Sequence, residues 1–130
     1  SYWMKELAAK ISSSELEVLE VLWRSEEPMP IAAIRAALEE THSWDASTVK
    51  TLLRRLREKG AVDCEKRDVF YYWPLLGRKD YQRWSTQSFL QRVYQGSARD
   101  LVAGLVECCP LSSEDLSELR GILYPDEGHG

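Results

Sequence analysis

The segment Trp44–Gly60, WDASTVKTLLRRLREKG, leaves the fewest folding options of any part of this chain. Val49, Leu52, Leu53 and Leu56 recur at i, i+3, i+4 and i+7, so a helix of 3.6 residues per turn gathers all four on one side. Ser47, Lys50, Thr51, Arg54 and Arg55 then fall on the other side. The leucines seat such a helix in a small domain only if its basic, hydroxyl-bearing face stays outside. Hydroxyl, ammonium and guanidinium groups on that face suit the phosphates and base edges of duplex DNA. The spacing predicts a helix over Ser47–Lys59, with Asp45 or Ser47 as its N-cap and Gly60 as its stop.

The flanking segments supply the rest of a winged helix-turn-helix. Ile11–Trp23 is predicted helical, with Leu16, Leu19, Leu22 and Trp23 as its apolar stripe. Two capping boxes fit its start, Ser12 with Glu15 or Ser14 with Glu17. SEEPMP over Ser25–Pro30 breaks the helix, and Met29 could add a short strand. Ile31–Glu40 is helical again, with Ile31, Ile34, Ala37 and Leu38 expected to face inward. After Gly60, Ala61–Lys66 and Val69–Pro74 read as two strands around Arg67-Asp68. Alternation along VFYYWP separates Val69, Tyr71 and Trp73 from Phe70 and Tyr72. The expected fold class is mainly α with a small β wing.

Beyond Leu76 the pattern is helical throughout. Asp80–Gln95, Ser97–Glu107 and a last helix capped by Ser112 or Ser113 are separated by Gly96 and Pro110, and Pro125 stops the last. Three short amphipathic helices cannot each bury an apolar face in so small a lobe, and a twin subunit is the simplest cover. The expected organisation is therefore a DNA-binding winged-helix domain over 1–77 and a helical homodimerisation region over 78–130. The tail Asp126–Gly130 is expected to be disordered.

Charge supports this division. The chain carries a net charge of −4, which by itself disfavours nucleic acid. Counted by segment, residues 1–46 carry −5, residues 47–79 carry +5 and residues 80–130 carry −4. The positive field is concentrated on the proposed recognition helix and wing, and the local field decides the partner.

Several function classes are disfavoured. No apolar run approaches the ~20 residues of a membrane span. Ser1–Lys10 lacks the apolar core of a secretory signal. Cys64, Cys108 and Cys109 are an odd number with two adjacent, which is no disulfide framework and suits a reducing cytoplasm. With only His42 and His129, and no nucleophile elbow, zinc-protease motif or phosphate loop, no catalytic residue, metal ligand or cofactor site is assigned.

Four segments then carry a resemblance. ISSSELEVLEVLW, WDASTVKTLLRRLREKG, VFYYWPL and LSSEDLSELRGIL, spread from Ile11 to Leu123, resemble the penicillinase-repressor family (BlaI/MecI/CopY-like winged-helix transcriptional repressors). The resemblance implies a dimer on a palindromic operator, often with TACA/TGTA half-sites. It implies operator contacts from Ala46, Ser47, Thr48, Lys50, Thr51 and Arg55, with Lys66 and Arg67 from the wing; the helix pattern adds Arg54. Lys50 stands where some relatives have arginine, which exchanges a planar fork for a point charge. Relatives cut at an Asn-Phe bond have Gly104-Leu105 at that place here, and the chain ends DEGHG in place of a paired C-x-C motif. No upstream sensor or protease is assigned. Two other readings stand beside this one: a winged-helix module that binds protein, and a metal- or redox-sensing repressor using Cys108-Cys109 with His42 or His129.

Overall fold

The computed structural model describes residues 2–126, in the order α1 (Tyr2–Ala9), α2 (Ser13–Arg24), β1 (Met29–Pro30), α3 (Ile31–Leu38), α4 (Ala46–Lys59), β2 (Val62–Lys66), β3 (Phe70–Pro74), α5 (Arg78–Tyr94), α6 (Ala98–Cys108) and α7 (Ser113–Leu123). His129 and the tail beyond Asp126 lie outside the described residues. The chain forms two compact units, Ser1–Ser88 and Phe89–Gly130, and the division falls inside α5.

In the first unit α2, α3 and α4 pack around one apolar core, with a three-stranded antiparallel sheet of order β1-β3-β2 beside them. Three helices with a hairpin in this order make a winged helix-turn-helix. Val18, Leu19 and Leu22 of α2, Ile34 and Leu38 of α3, and Val49, Leu52, Leu53 and Leu56 of α4 meet in the centre. α1 adds Leu7 and Ala8 to this core; it was not read from the sequence.

The register of α2 differs from the one expected. Its buried side runs Glu15, Val18, Leu19 and Leu22, with Val21, while Leu16 and Trp23 are only half-buried. The i, i+3, i+4, i+7 pattern is intact, but its first position is a carboxylate, which a search for apolar residues passes over. Of the two capping boxes, Ser12 with Glu15 is formed: the Glu15 amide donates to Ser12 Oγ at 3.2 Å and the Ser12 amide to Glu15 Oε1 at 2.8 Å. In α3, Ala37 faces solvent, because the buried positions Ile34 and Leu38 are one turn apart and Ala37 lies off their line.

The hairpin pairs Val62 with Pro74 through to Lys66 with Phe70, leaving Arg67, Asp68 and Val69 in the connecting loop. Val69 is thus part of the turn, where the Arg67 amide donates to its carbonyl at 2.9 Å. β3 is the central strand, and Tyr72, opposite both Met29 and Cys64, is its buried ring. The sheet's exit is fixed to α2. Trp23 Nε1 donates to the Leu76 carbonyl at 2.7 Å, and Arg78 pairs with Glu20 at 2.9 Å while lying over the Trp23 ring.

In the second unit α6 and α7 are capped by Ser97 and Ser112, the latter in a capping box with Asp115. None of α5, α6 or α7 has a buried residue. Gly104 occupies a close approach: a Cβ there would stand 2.6 Å from the Tyr94 hydroxyl.

Glu15 is 1% exposed and is joined 44 residues on by Lys59, whose Nζ meets Oε1 at 2.5 Å and the Lys10 carbonyl at 2.7 Å. Burial raises the Glu15 pKa, but the bonds from Lys59 and Ser12 outweigh it and hold the carboxyl below its ordinary 4.5. Removing the cation leaves a buried carboxylate with one oxygen already lacking a hydrogen-bond partner. Lys59→Met is expected to cost about 1–3 kcal/mol at pH 7 in urea unfolding. A carboxyl with a depressed folded pKa contributes stability above its unfolded value, and this is lost as pH falls through the folded one. The deficit of Lys59→Met should therefore be largest with Glu15 ionised and narrow as pH falls and the carboxyl takes up its proton.

Candidate nucleic-acid interface

α4 presents its basic face because its other face is fully committed. Val49, Leu53 and Leu56 are completely buried and Leu52 is nearly so. Both ends of the helix are closed. At the start Asp45 is the N-cap: its Oδ1 accepts from the Thr48 amide at 2.9 Å and from the Ser47 hydroxyl at 2.7 Å. These two bonds, the Ser47 one first, hold the Asp45 carboxyl below its ordinary 3.8. At the end Gly60 adopts φ +84°, and the Gly60 and Ala61 amides return to the Arg57 and Leu56 carbonyls. This is the left-handed closure that glycine favours. A side chain at 60 would also meet the Trp3 ring at 3.3 Å.

The exposed surface of α4 divides into two strips. Ser47, Thr48, Thr51 and Arg55 surround a shallow hollow of about 200 Å³. Lys50, Arg54 and Arg57, at i, i+4 and i+7, form one wall of a cleft of about 760 Å³ between α4 and the wing. Lys66, Val69 and Phe70 belong to the wing side of this cleft, and Ile31 and Ala32 at the start of α3 also line it. Ala46 is exposed at the first position of the helix.

At the wing tip Arg67 lies over the Tyr71 ring, 4.8 Å from its centroid, and 3.6 Å from Glu65. Lys66 lies 6.0 Å above the Phe70 ring. The structure thus places Lys50, Thr51, Arg54 and Lys66 around one cleft, Ser47, Thr48, Thr51 and Arg55 around a second hollow, and Arg67 on the tip. Arg57 was not among the residues selected from the sequence, although its spacing from Lys50 and Arg54 continues their strip. It is paired with Asp63 at 3.7 Å, so part of its charge is already answered within the domain. Phe70 and Tyr72 share a face of β3 as expected, and both line the cleft; Tyr72 is buried, while Phe70, paired with Lys66 at the end of the hairpin, keeps its ring exposed.

The turn from α3 into α4 is also built. His42 and Trp44 stack with centroids 4.2 Å apart, and Arg35 Nε donates to the Trp44 carbonyl at 3.2 Å. These contacts aim Asp45 and with it the start of α4. The interface has no catalytic constellation; its chemistry is that of cations and hydroxyls on a rigid helix beside a basic hairpin.

That architecture defines the class: a winged-helix domain with a basic recognition-type helix. The model of the family "Penicillinase repressor" matches residues 11–124. The penicillinase repressor of Bacillus licheniformis is 36% identical over 115 residues, covering 88% of this chain and 89% of that protein. The methicillin resistance regulatory protein MecI of Staphylococcus aureus is 33% identical over 118 residues, covering 88% and 93%. The solution structure of the monomeric form of B. licheniformis BlaI in complex with the blaP half-operator is 36% identical, covers 55% of this chain and 88% of that one, and aligns with a TM-score of 0.48. The chain belongs to the penicillinase-repressor family, which consists of transcriptional repressors and not of enzymes.

Because Asp45 closes the N-terminus of α4, Asp45→Ala is expected to speed amide hydrogen exchange at Thr48 and Val49, while Asp45→Ser keeps most of the protection. The depressed carboxyl carries this cap only while ionised. Protection in the native protein should fall as pH drops below the ordinary 3.8 and not change on the alkaline side.

Proposed function

We propose that this protein is a DNA-binding transcriptional repressor that acts as a homodimer on a palindromic operator. The observation that carries the reading is the outward face of α4, held by its buried leucines, with the basic wing across a cleft from it. α4 enters the major groove. Ser47, Thr48 and Thr51 meet phosphates or base edges, Lys50 and Arg54 supply charge, and Arg55 reads a base. Ala46 allows close approach at the helix start, and Lys66 and Arg67 carry the wing to the backbone. A repressor so bound excludes transcription from the overlapped promoter, and its template places it in the cytoplasm. None of the helices among the described residues is long and apolar enough to cross a membrane.

In this reading residues 1–77 bind DNA and residues 78–130 dimerise. What supports the second role is apolar exposure: Val102 and Val106 of α6 and Leu116, Leu119, Ile122 and Leu123 of α7 are all 41–74% exposed. Side chains of this kind on consecutive short helices call for a cover, and an isologous partner supplies it. The twofold then sets the half-sites one helical turn or a multiple of it apart.

The test is operator binding by fluorescence anisotropy over a salt series, with the duplex upstream of the protein's own gene and a random duplex. Arg55→Ala should lose roughly 1–3 kcal/mol on the operator and little on random DNA. Lys66→Ala should weaken both about equally and lower the salt slope by about one. Equal losses for Arg55→Ala on both duplexes would remove its base-reading role. A protein with no salt-steep duplex binding at all would be a protein-interaction module. Ile122→Arg changes a side chain that is 74% exposed, so the fold should survive. Sedimentation velocity is then expected to show the dimer replaced by monomer, with operator affinity reduced.

A further inference from the structure

At the end of α6 two neighbouring thiols stand together. Cys108 is the last residue of the helix and Cys109 its C-cap; both are exposed, and their Sγ atoms are 3.3 Å apart. Adjacent side chains within a helix do not face one another. Here the backbone turns extended at Cys109, φ −126° and ψ 112°, while its amide still donates to the Leu105 carbonyl at 2.8 Å. That change of direction lets the second thiol reach the first. The proposed DNA-binding face makes no use of either.

The separation selects the kind of centre that both sulfurs could hold. With bonds to sulfur of roughly 2.3 Å, as for zinc, a separation of 3.3 Å corresponds to an angle at the bound atom of about 90°. That is too narrow for a tetrahedral zinc ion and far from a linear two-coordinate ion. It suits a pyramidal, thiophilic centre that brings its own remaining substituent. The described residues contain no group of three His, Cys, Asp or Glu side chains able to hold a metal ion, so none of them adds a third ligand to the pair. The hydrogen bond with Cys108 also holds the Cys109 thiol above its ordinary range.

We propose that Cys108 and Cys109 form a bidentate thiol site for a trivalent arsenic species, an organoarsenical with two exchangeable hydroxyls being the best match. Two As–O bonds break and two As–S bonds form. Each thiol proton leaves with a hydroxyl as water, and arsenic remains trivalent, so no oxidant or reductant is needed. The product ties the last residue of α6 to its cap through one bridging atom. This assignment does not depend on the repressor reading.

The test is titration of the full, reduced chain with phenylarsine oxide, followed by intact-mass spectrometry and thiol counting. One phenylarsenic adduct should form with the loss of two free thiols, survive excess glutathione and come off with a small dithiol. Chelation strengthens binding by its effective concentration, so Cys108→Ser and Cys109→Ser should each weaken the adduct on the order of 10²-fold against glutathione. Cys64→Ser, in a strand of the other unit, should leave it unchanged. Both sites are exposed, so the serine variants should keep the native circular dichroism spectrum. Failure to form the adduct, an adduct as tight in Cys109→Ser as in the native chain, or one that needs Cys64 would each overturn the proposal.

Discussion

The seating of α4 is the constraint on which the first unit depends. Four apolar side chains at 49, 52, 53 and 56 are removed from water against α2 and α3, and this fixes the rotation of the helix about its axis. At roughly 1.5–3 kcal/mol per fully buried side chain, no surface contact of α4 competes with that term. The polar face is then determined by exclusion. Its two ends are set by different means: Asp45 closes the start with hydrogen bonds, and Gly60 turns the chain out into the hairpin. Lys59 joins the last turn to the buried carboxylate at the start of α2, so the helix that presents the cations is fixed at its far end by one of its own.

The wing shares the cleft with α4 because the hairpin starts directly from Gly60. Lys66 and Phe70 are paired across the end of the hairpin, and both line the cleft with Lys50 and Arg54. Exposed rings beneath the cations lower the cost of holding like charges together, since a cation over an aromatic face is attracted to it. A chain with a net charge of −4 thereby concentrates positive charge on one side of one unit.

The second unit shows the opposite balance. Its helices are well capped, and Ser97 and Ser112 each accept from an amide one turn in, yet none of its described residues is buried. Local hydrogen bonding has formed these helices without giving them a core. That is the physical ground for reading the unit as one half of a symmetric assembly.

Much of this was legible in the sequence. The periodicity of α4, a cap at Asp45 or Ser47 and the Gly60 stop, the two wing strands and the three C-terminal helices all follow from local rules: helical spacing, side-chain caps and turn residues act within a few positions. The register of α2 was not legible, because its buried line begins with Glu15, and a carboxylate enters a core only when a cation from elsewhere meets it. Lys59 lies 44 residues away, and nothing in the spacing joins them. The same holds for the cleft. The basic residues could be assigned to a face, but Arg57 was missed, and alternation along β3 left open which of its two sets of rings lines the cleft. Their places depend on how far the hairpin reaches past the helices. The sequence by itself determined the elements, their ends and the polar side of α4, since those are matters of local periodicity and hydrogen bonding. Tertiary structure alone decided which buried charge is compensated, which cations share a cleft and which two thiols touch, since each needs positions in space that chain order does not define.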